Sequence, residues 1–244
     1  MSDAPEVLEG FSTPELDIEV SSAHFERFAA APTLVFGARV TERAGRPVYT
    51  IALRCQINVD PARRRYDADS REKLSELFGE PQRWGATTKS FMWARVDVLV
   101  PSFEGATDFD ITVPCSYDLE ITTTRYLRGL SDGAVPMSFH LSGSVFYKTS
   151  TGELRITQVP WDIDVRYELS LAVWRDMMEH HYPHSGWVRF EDRTLDGLLK
   201  YKAEHGMTSL DACLMELLEN SDGHEEENSA VRIKEAGRGS DGGA

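Results

Sequence analysis

The sequence predicts an α+β protein: antiparallel, largely amphipathic β-sheet of about eight strands, with short helices and a C-terminal helical pair. Three observations support this fold class. Apolar and polar residues alternate over long stretches, turn-forming residues separate those stretches, and helical periodicity is confined to short segments. Hydrophobic residues make up 41% and aromatic residues 10% of the 244 residues, which is enough for a packed core.

Alternation is strictest in Tyr49–Val59 and Phe109–Leu119, where every second residue is apolar. Similar or weaker alternation predicts six more strands, at Leu16–Val20, Leu34–Val40, Ala94–Val100, Val135–Tyr147, Leu154–Ile156 and Ile163–Val173. One apolar and one polar face per strand is typical of antiparallel sheet. Pro114 has no N–H to donate to a ladder, so we expect it at a sheet edge or a bulge.

Five short segments carry apolar residues at helical spacing. The predicted helices are Ser70–Phe78, Thr122–Leu130, Trp174–Tyr182, Thr194–His205 and Ser209–Glu219. Gly79 and Pro183 follow the first and third of these as residues that end helices. Gly206 separates the last two, which form the predicted C-terminal helical pair.

The formal net charge of −14 is unevenly distributed along the chain. Residues 1–17 carry −5 and residues 221–244 carry −3, which leaves −6 on residues 18–220. Neither end shows hydrophobic periodicity, and the C-terminal end is rich in Gly, Ser and Glu. We therefore predict a disordered acidic arm at 1–14, a single α+β domain at 15–220, and a disordered tail at 221–244.

Composition also limits where the protein acts and what it binds. No apolar run approaches the roughly 18–20 residues that span a bilayer, and the acidic N-terminus lacks the features of a signal peptide. We expect a cytoplasmic protein with no membrane partner. A domain that is itself acidic repels phosphate backbones, which counts against nucleic-acid binding.

The common catalytic and cofactor motifs are missing, including glycine-rich nucleotide loops, HExxH, GxSxG and EF-hand loops. We therefore predict a non-enzymatic protein without catalytic residues or a cofactor. Three cysteines, Cys55, Cys115 and Cys213, lie far apart and form no CxxC pair. Such a sparse, odd set is typical of buried reduced thiols.

Three histidines lie close together at His180, His181 and His184. Histidine is a frequent ligand of Zn²⁺ and Ni²⁺, so these residues are weak candidates for a metal site. Adjacent side chains at a helix end point about 100° apart, however, and Pro183 interrupts the helical spacing. Histidines near a helix C-terminus also stabilise the helix dipole. We therefore predict capping or solvated histidines and no metal site.

A basic run, Arg63–Arg64–Arg65, follows the strongest predicted strand. The segment from Arg39 to Arg83 has a net charge of +3 in an acidic protein. Trp84 and Trp161 fall near predicted loops, where aromatic residues often anchor an interface. These five residues, Arg63, Arg64, Arg65, Trp84 and Trp161, are the candidate partner-binding residues. The alternative is that the arginines are solvated charges at a strand end.

The C-terminal segment resembles a ribbon-helix-helix DNA-binding module, because a short predicted strand at Trp187–Phe190 precedes the helical pair. Residues 186–219 carry four basic and seven acidic residues, which disfavours DNA.

The chain as a whole resembles an uncharacterised bacterial, mainly actinobacterial, family of unknown function. The matching stretches are Gln56–Pro81, Val113–Asp118, Gly133–Tyr147, Val159–Trp161 and Trp187–Leu218. Members are often encoded beside [NiFe]-hydrogenase genes, so the resemblance implies a hydrogenase-linked accessory role. It implies no catalytic residues.

Three functions follow as hypotheses. The first is an accessory or assembly protein that binds another protein, with a hydrogenase subunit or maturation factor as the expected partner. The second is a small metal-handling or redox factor that uses His180, His181 and His184. The third is a DNA-binding regulator that uses the C-terminal segment.

Overall fold

The computed structural model describes residues 13–115, 121–149, 151–184 and 190–221. The chain divides into two compact units, residues 1–185 and residues 186–244. Each unit is described separately below. The predicted single domain across residues 15–220 stays a prediction.

Within the described part of the first unit, eight strands pair antiparallel, as the alternation predicted. They are β1 (Leu16–Phe25), β2 (Thr33–Glu42), β3 (Val48–Val59), β4 (Phe91–Val100), β5 (Ala106–Pro114), β6 (Ala134–Lys148), β7 (Leu154–Gln158) and β8 (Asp164–Ser170). Strands β1, β2 and β5 form a three-stranded sheet in that order, and the order in the five-stranded sheet is β4-β3-β6-β7. Strand β8 also pairs with β6.

The two sheets meet through aromatic side chains. Phe36 of β2 contacts Trp93 of β4, Phe139 of β6 and Tyr167 of β8, with ring centroids 6.1, 5.2 and 5.9 Å away and the rings edge-to-face. Phe36, Trp93 and Phe139 are buried, and each such side chain contributes roughly 1.5–3 kcal/mol through burial. The core of the first unit therefore lies between the sheets.

Strand β6 pairs with β3 along one edge and with two strands in succession along the other. Its first half, from Ala134 to His140, pairs with β8, and its second half, from Ser144 to Lys148, pairs with β7. Gly143 lies between the halves with φ of 145°, and a Cβ there would lie 2.0 Å from the backbone oxygen of Ala52. Only glycine fits this close approach between β3 and β6.

Helices and short 3₁₀ turns complete the first unit. The helices are α1 (Ala68–Phe78), α2 (Trp84–Thr87), α3 (Ile121–Gly129) and α4 (Leu171–His181), and 3₁₀ turns cover Pro61–Arg63 and Pro81–Arg83. Asp67 caps α1 by accepting a hydrogen bond from the Ser70 N–H, and Gly79 ends it in the left-handed region.

The second unit contains α5 (Asp192–Glu204) and a helix at residues 210–221, which together occupy the segments of the predicted helical pair. The Tyr201 hydroxyl donates to the Glu216 carboxylate at 3.3 Å, and Cys213 is buried. No helix among the described residues combines the length and apolar character needed to cross a lipid bilayer.

Some element predictions need correction. Tyr49 was expected on the apolar face of its strand but is exposed, because the β3–β6 register shifts between Val48 and Thr50. The strand predicted at Ile163–Val173 ends at Ser170, since Leu171 begins α4. The strand predicted at Phe109–Leu119 ends at Pro114, and residues 116–120 lie outside the described residues.

Pro114 lies at the end of β5, an edge strand of the three-stranded sheet, as predicted.

Candidate functional site

An open cleft of about 570 Å³ lies at the end of strand β3. Its walls come from the 3₁₀ turn Pro61–Arg63, the loop that leads into α1, the 3₁₀ turn Pro81–Arg83, and α2. Among the described residues its lining contains no Asp or Glu. It contains three arginines and two large aromatic residues, Arg64, Arg65, Arg71, Tyr66 and Trp84. We call this site the arginine cleft.

Asp60, a buried carboxylate directly after β3, fixes the base of the arginine cleft. It accepts hydrogen bonds from the hydroxyls of Ser90, just before β4, and Ser138 in β6, the latter at 3.3 Å. Its other oxygen lies 3.6 Å from a guanidinium nitrogen of Arg63. The turn that carries the cleft is thus attached to three neighbouring strands, β3, β4 and β6. Arg63 contributes to this attachment and does not line the cleft.

Arg64 is held by backbone oxygen atoms. Its guanidinium donates to the carbonyls of Ala134 at 3.0 Å, Asp132 at 2.8 Å and Arg65 at 3.3 Å, and it lies 5.4 Å from the centre of the Tyr66 ring. These contacts fix the position of the side chain without neutralising its charge, because none of the acceptors is a carboxylate. Arg64 therefore presents a preorganised positive charge on the cleft wall.

Tyr66 is held by a short chain of hydroxyl groups. Its hydroxyl donates to the Pro61 carbonyl at 2.7 Å and lies 3.0 Å from the hydroxyl of buried Tyr126, which donates to it. Burial raises the pKa of both phenols, and nearby Arg64 only partly opposes this. Both tyrosines therefore stay protonated at neutral pH and act as structural hydrogen-bond partners.

Trp84 is buried, although the sequence suggested an interface aromatic near a loop. Its indole N–H donates to the Gly79 carbonyl at 2.9 Å, and its ring packs edge-to-face against Tyr66 and Phe78. Trp84 therefore supports the cleft through packing. Trp161 is 93% exposed in the β7–β8 loop and does not line the arginine cleft.

Arg65 and Arg71 supply the charge available to a ligand. Both side chains are exposed, and neither forms an ion pair or hydrogen bond with any described residue. Other exposed arginines have acidic partners, such as Arg54 with Asp97 and Arg125 with Glu76. The arginine cleft therefore concentrates uncompensated positive charge on a protein of net charge −14.

The structure thus brings together Arg64, Arg65 and Trp84 from the predicted set and adds Tyr66 and Arg71. The sequence contains a signal for Arg71. Asp67 and Ser70 form an N-terminal cap, which fixes the start of α1 and places Arg71 in its first turns.

Two of the three candidate metal ligands, His180 and His184, contact different oxygen atoms, and the rings of His180 and His181 contact each other. The Nε2 atom of His180 lies 3.0 Å from the carbonyl oxygen of Arg27, and exposed His184 lies 3.4 Å from a Glu179 carboxylate oxygen. The ring of His181 stands perpendicular to that of His180. Within the described part of the chain, no three His, Cys, Asp or Glu residues are grouped as metal ligands.

All three cysteines are buried and outside any disulfide, as predicted. Burial raises the pKa of the Cys55 thiol to about 12, which keeps it protonated and unreactive. The strand proposed for a DNA-binding segment, at Trp187–Phe190, lies mostly outside the described residues. The DNA-binding hypothesis therefore stays untested.

Three solved structures show weak similarity to this chain. The protein assigned as ApaA from Bordetella pertussis is 10% identical, with a TM-score of 0.26 over 64% of this chain and 94% of that one. A β-glucosidase from Kluyveromyces marxianus is 8% identical, with a TM-score of 0.27 over 66% of this chain and 15% of that one. For β-glucosidase 3B from Thermotoga neapolitana the identity is 12%, the TM-score 0.24, and the coverage 62% and 18%.

These likenesses are too weak to support any conclusion about function, and this chain spans under a fifth of either glucosidase. No curated protein matches the chain. A family description does match, over residues 13–226, which is most of the chain. The protein is therefore a member of the family of unknown function DUF6084.

Proposed function

We propose that this chain is a non-enzymatic accessory protein that binds an acidic segment of a partner protein in the arginine cleft. The observation that carries the proposal is the pair of unpaired guanidinium groups, Arg65 and Arg71, in a cleft whose described lining holds no acidic residue. The cytoplasmic location predicted from the sequence is part of this proposal.

The chemistry of the arginine cleft suits carboxylates. A guanidinium can donate two parallel hydrogen bonds to one carboxylate, so Arg65 and Arg71 can each bind an Asp or Glu side chain. A charge pair about 4 Å apart near a protein surface attracts by roughly 4 kcal/mol before desolvation costs. Arg64, already fixed by carbonyl oxygens, adds a third positive charge without further ordering.

The cleft walls suit an extended peptide segment. Pro61, Pro81 and the edges of Tyr66 and Trp84 provide apolar surface between the charged groups. A volume of about 570 Å³ is in the range of small-ligand sites, so a few residues of a peptide fit. The resemblance to hydrogenase-linked proteins makes a [NiFe]-hydrogenase subunit or maturation factor the first partner to test.

The test compares two charge reversals of equal size in the tagged full-length chain. The first variant is Arg65→Glu with Arg71→Glu. The control is Arg128→Glu with Arg193→Glu, because these exposed arginines lie outside the cleft and make no ion pair among the described residues. Affinity purification from native cells and titration with an oligo-glutamate peptide both measure binding.

We expect the cleft variant to bind at least tenfold more weakly than the control variant, and wild-type binding to weaken as salt increases. Equal partner yields from both variants would exclude the arginine cleft as the binding surface. If the wild-type chain recovers no partner and binds no peptide, the accessory function is wrong and a small anionic ligand becomes the better hypothesis.

The hypotheses of a metal-handling factor and a DNA-binding regulator receive no support from a specific contact. His180 and His184 contact different oxygen atoms, and the arginines of the cleft belong to the first unit rather than to the helical pair.

A further inference from the structure

Strand β7 has one paired edge and one free edge. Among the described residues it pairs only with β6. The Val159 N–H donates to the Gly143 carbonyl at 3.0 Å, and the Thr149 N–H donates to the Glu153 carbonyl at 2.9 Å. Backbone direction alternates along a strand, so Arg155 and Thr157 also turn their backbone groups towards β6.

It follows that three residues of β7 direct their backbone N–H and C=O groups outward, that is, away from β6. These residues are Leu154, Ile156 and Gln158. Their side chains share one face of the strand, opposite Lys148, Phe146 and Ser144 of β6. Leu154 is 54% and Ile156 60% exposed. The free edge thus combines unpaired backbone groups with exposed apolar side chains.

This edge lacks the usual protection against pairing. Natural edge strands are commonly blocked by proline, by lysine or by a bulge. Strand β7 contains no proline or lysine, its only charged residue is Arg155, and its register with β6 is continuous. An edge of this kind accepts another strand.

We propose that β7 pairs with β7 of a second copy of this chain, antiparallel about a two-fold axis at Ile156. In this register Ile156 faces Ile156, Leu154 faces Gln158, and Arg155 faces Thr157. All three outward residues then lie in hydrogen-bonded pairs, so up to six backbone hydrogen bonds form. Every contact is reciprocal, as a closed dimer requires.

Neighbouring registers are poorer. An axis at Arg155 would place two arginines opposite each other, and like charges in cross-strand pairs are destabilising. An axis at Thr157 would place Leu154 opposite Pro160, which has no N–H to donate. The register at Ile156 opposes no like charges and no proline within β7, and this favours a second copy of the strand as the partner.

The dimer is expected to be weak and to respond to salt. Two paired five-residue strands bury less surface than the 1,200 Å² or so typical of stable interfaces, so we expect a dissociation constant on the order of 10–100 µM. Each copy carries a net charge of −14, so the copies repel. Added salt therefore strengthens the dimer, opposite to its effect on acidic ligands in the arginine cleft.

Disulfide trapping tests the register directly. The three native cysteines are buried, so Ile156→Cys adds an exposed thiol at the proposed axis. Paired Cα atoms at a hydrogen-bonded position lie about 5.5 Å apart, within the range a disulfide spans. The control is Leu99→Cys, at a residue 71% exposed on edge strand β4.

With diamide as the oxidant and the chain at about its dissociation constant, we expect a covalent dimer from Ile156→Cys only. No covalent dimer from this variant, or equal amounts from both, would overturn the proposal.

Sedimentation equilibrium provides a second measurement. Ile156→Pro removes an outward N–H and leaves the β6–β7 ladder intact. Ile156→Lys places two like charges at the axis. We expect both variants to dimerise at least tenfold more weakly than wild type, and Leu99→Lys to match wild type. A wild-type chain that stays monomeric at millimolar concentration would overturn the proposal and leave the edge to a peptide of another protein.

Discussion

Replacing Arg64 should destabilise the first unit, whereas replacing the adjacent Arg65 should not. Arg64→Ala removes three hydrogen bonds from a charged donor to backbone carbonyls. The Ala134 carbonyl is partly buried, and leaving such an acceptor without its partner costs about 1–3 kcal/mol. The Asp132 and Arg65 carbonyls are exposed and can bind water, so their loss adds little.

We therefore expect Arg64→Ala to lower the free energy of unfolding by about 2 kcal/mol, and Arg65→Ala to change it by less than about 0.5 kcal/mol. For a domain of this size, 2 kcal/mol corresponds to a fall in Tm of about 4–8 °C. Urea unfolding monitored by tryptophan fluorescence measures the free energy of unfolding of the two variants. Equal effects of the two substitutions would refute the argument that the carbonyl contacts anchor the cleft wall.

The remaining predictions concern the core and the domain organisation. Gly143→Ala should reduce stability by at least about 3 kcal/mol, because its Cβ would meet the Ala52 oxygen; near-normal urea unfolding would contradict this. Thiol reagents should label no cysteine of the folded chain at pH 8, since burial raises the pKa of Cys55 to about 12; rapid labelling of even one native thiol would be the contrary result. Folding raises the pKa of Cys55, Tyr66 and Tyr126, so these groups lose protons at lower pH in the unfolded chain than in the folded one. We therefore expect the free energy of unfolding to keep their full contribution below about pH 9 and to fall at higher pH, and melting curves measured across this pH range test the direction. Limited proteolysis should trim only the two ends and leave residues 15–220, and a stable fragment ending near residue 185 would show that the two units fold separately.

The strands were predictable because alternation of apolar residues is a local property of the sequence. The predicted apolar position of Tyr49 in β3 was wrong, because the register shift against β6 depends on the partner strand and not on the local sequence. The predicted end of β8 was wrong, because Leu171 and Val173 suit the apolar face of a strand or of a helix equally well.

The arginine cleft was predictable only in part. A run of three arginines is visible in the sequence, but their roles differ because of partners distant along the chain. Arg63 lies beside Asp60, Arg64 binds carbonyls in the segment that leads into β6, and the Arg65 side chain has no partner among the described residues. Replacing all three with Glu would therefore disturb the fold, because a glutamate at position 64 would face backbone carbonyl oxygens.

The attachment of the cleft to the core through Asp60 has a thermodynamic consequence. Asp60 connects the cleft turn to β3, β4 and β6, so a ligand that needs the intact cleft binds only the folded first unit. At 100 times its dissociation constant, such a ligand stabilises the fold by about 2.7 kcal/mol. A screen of acidic peptides and small anions by thermal shift can therefore identify what fills the cleft before any partner is known.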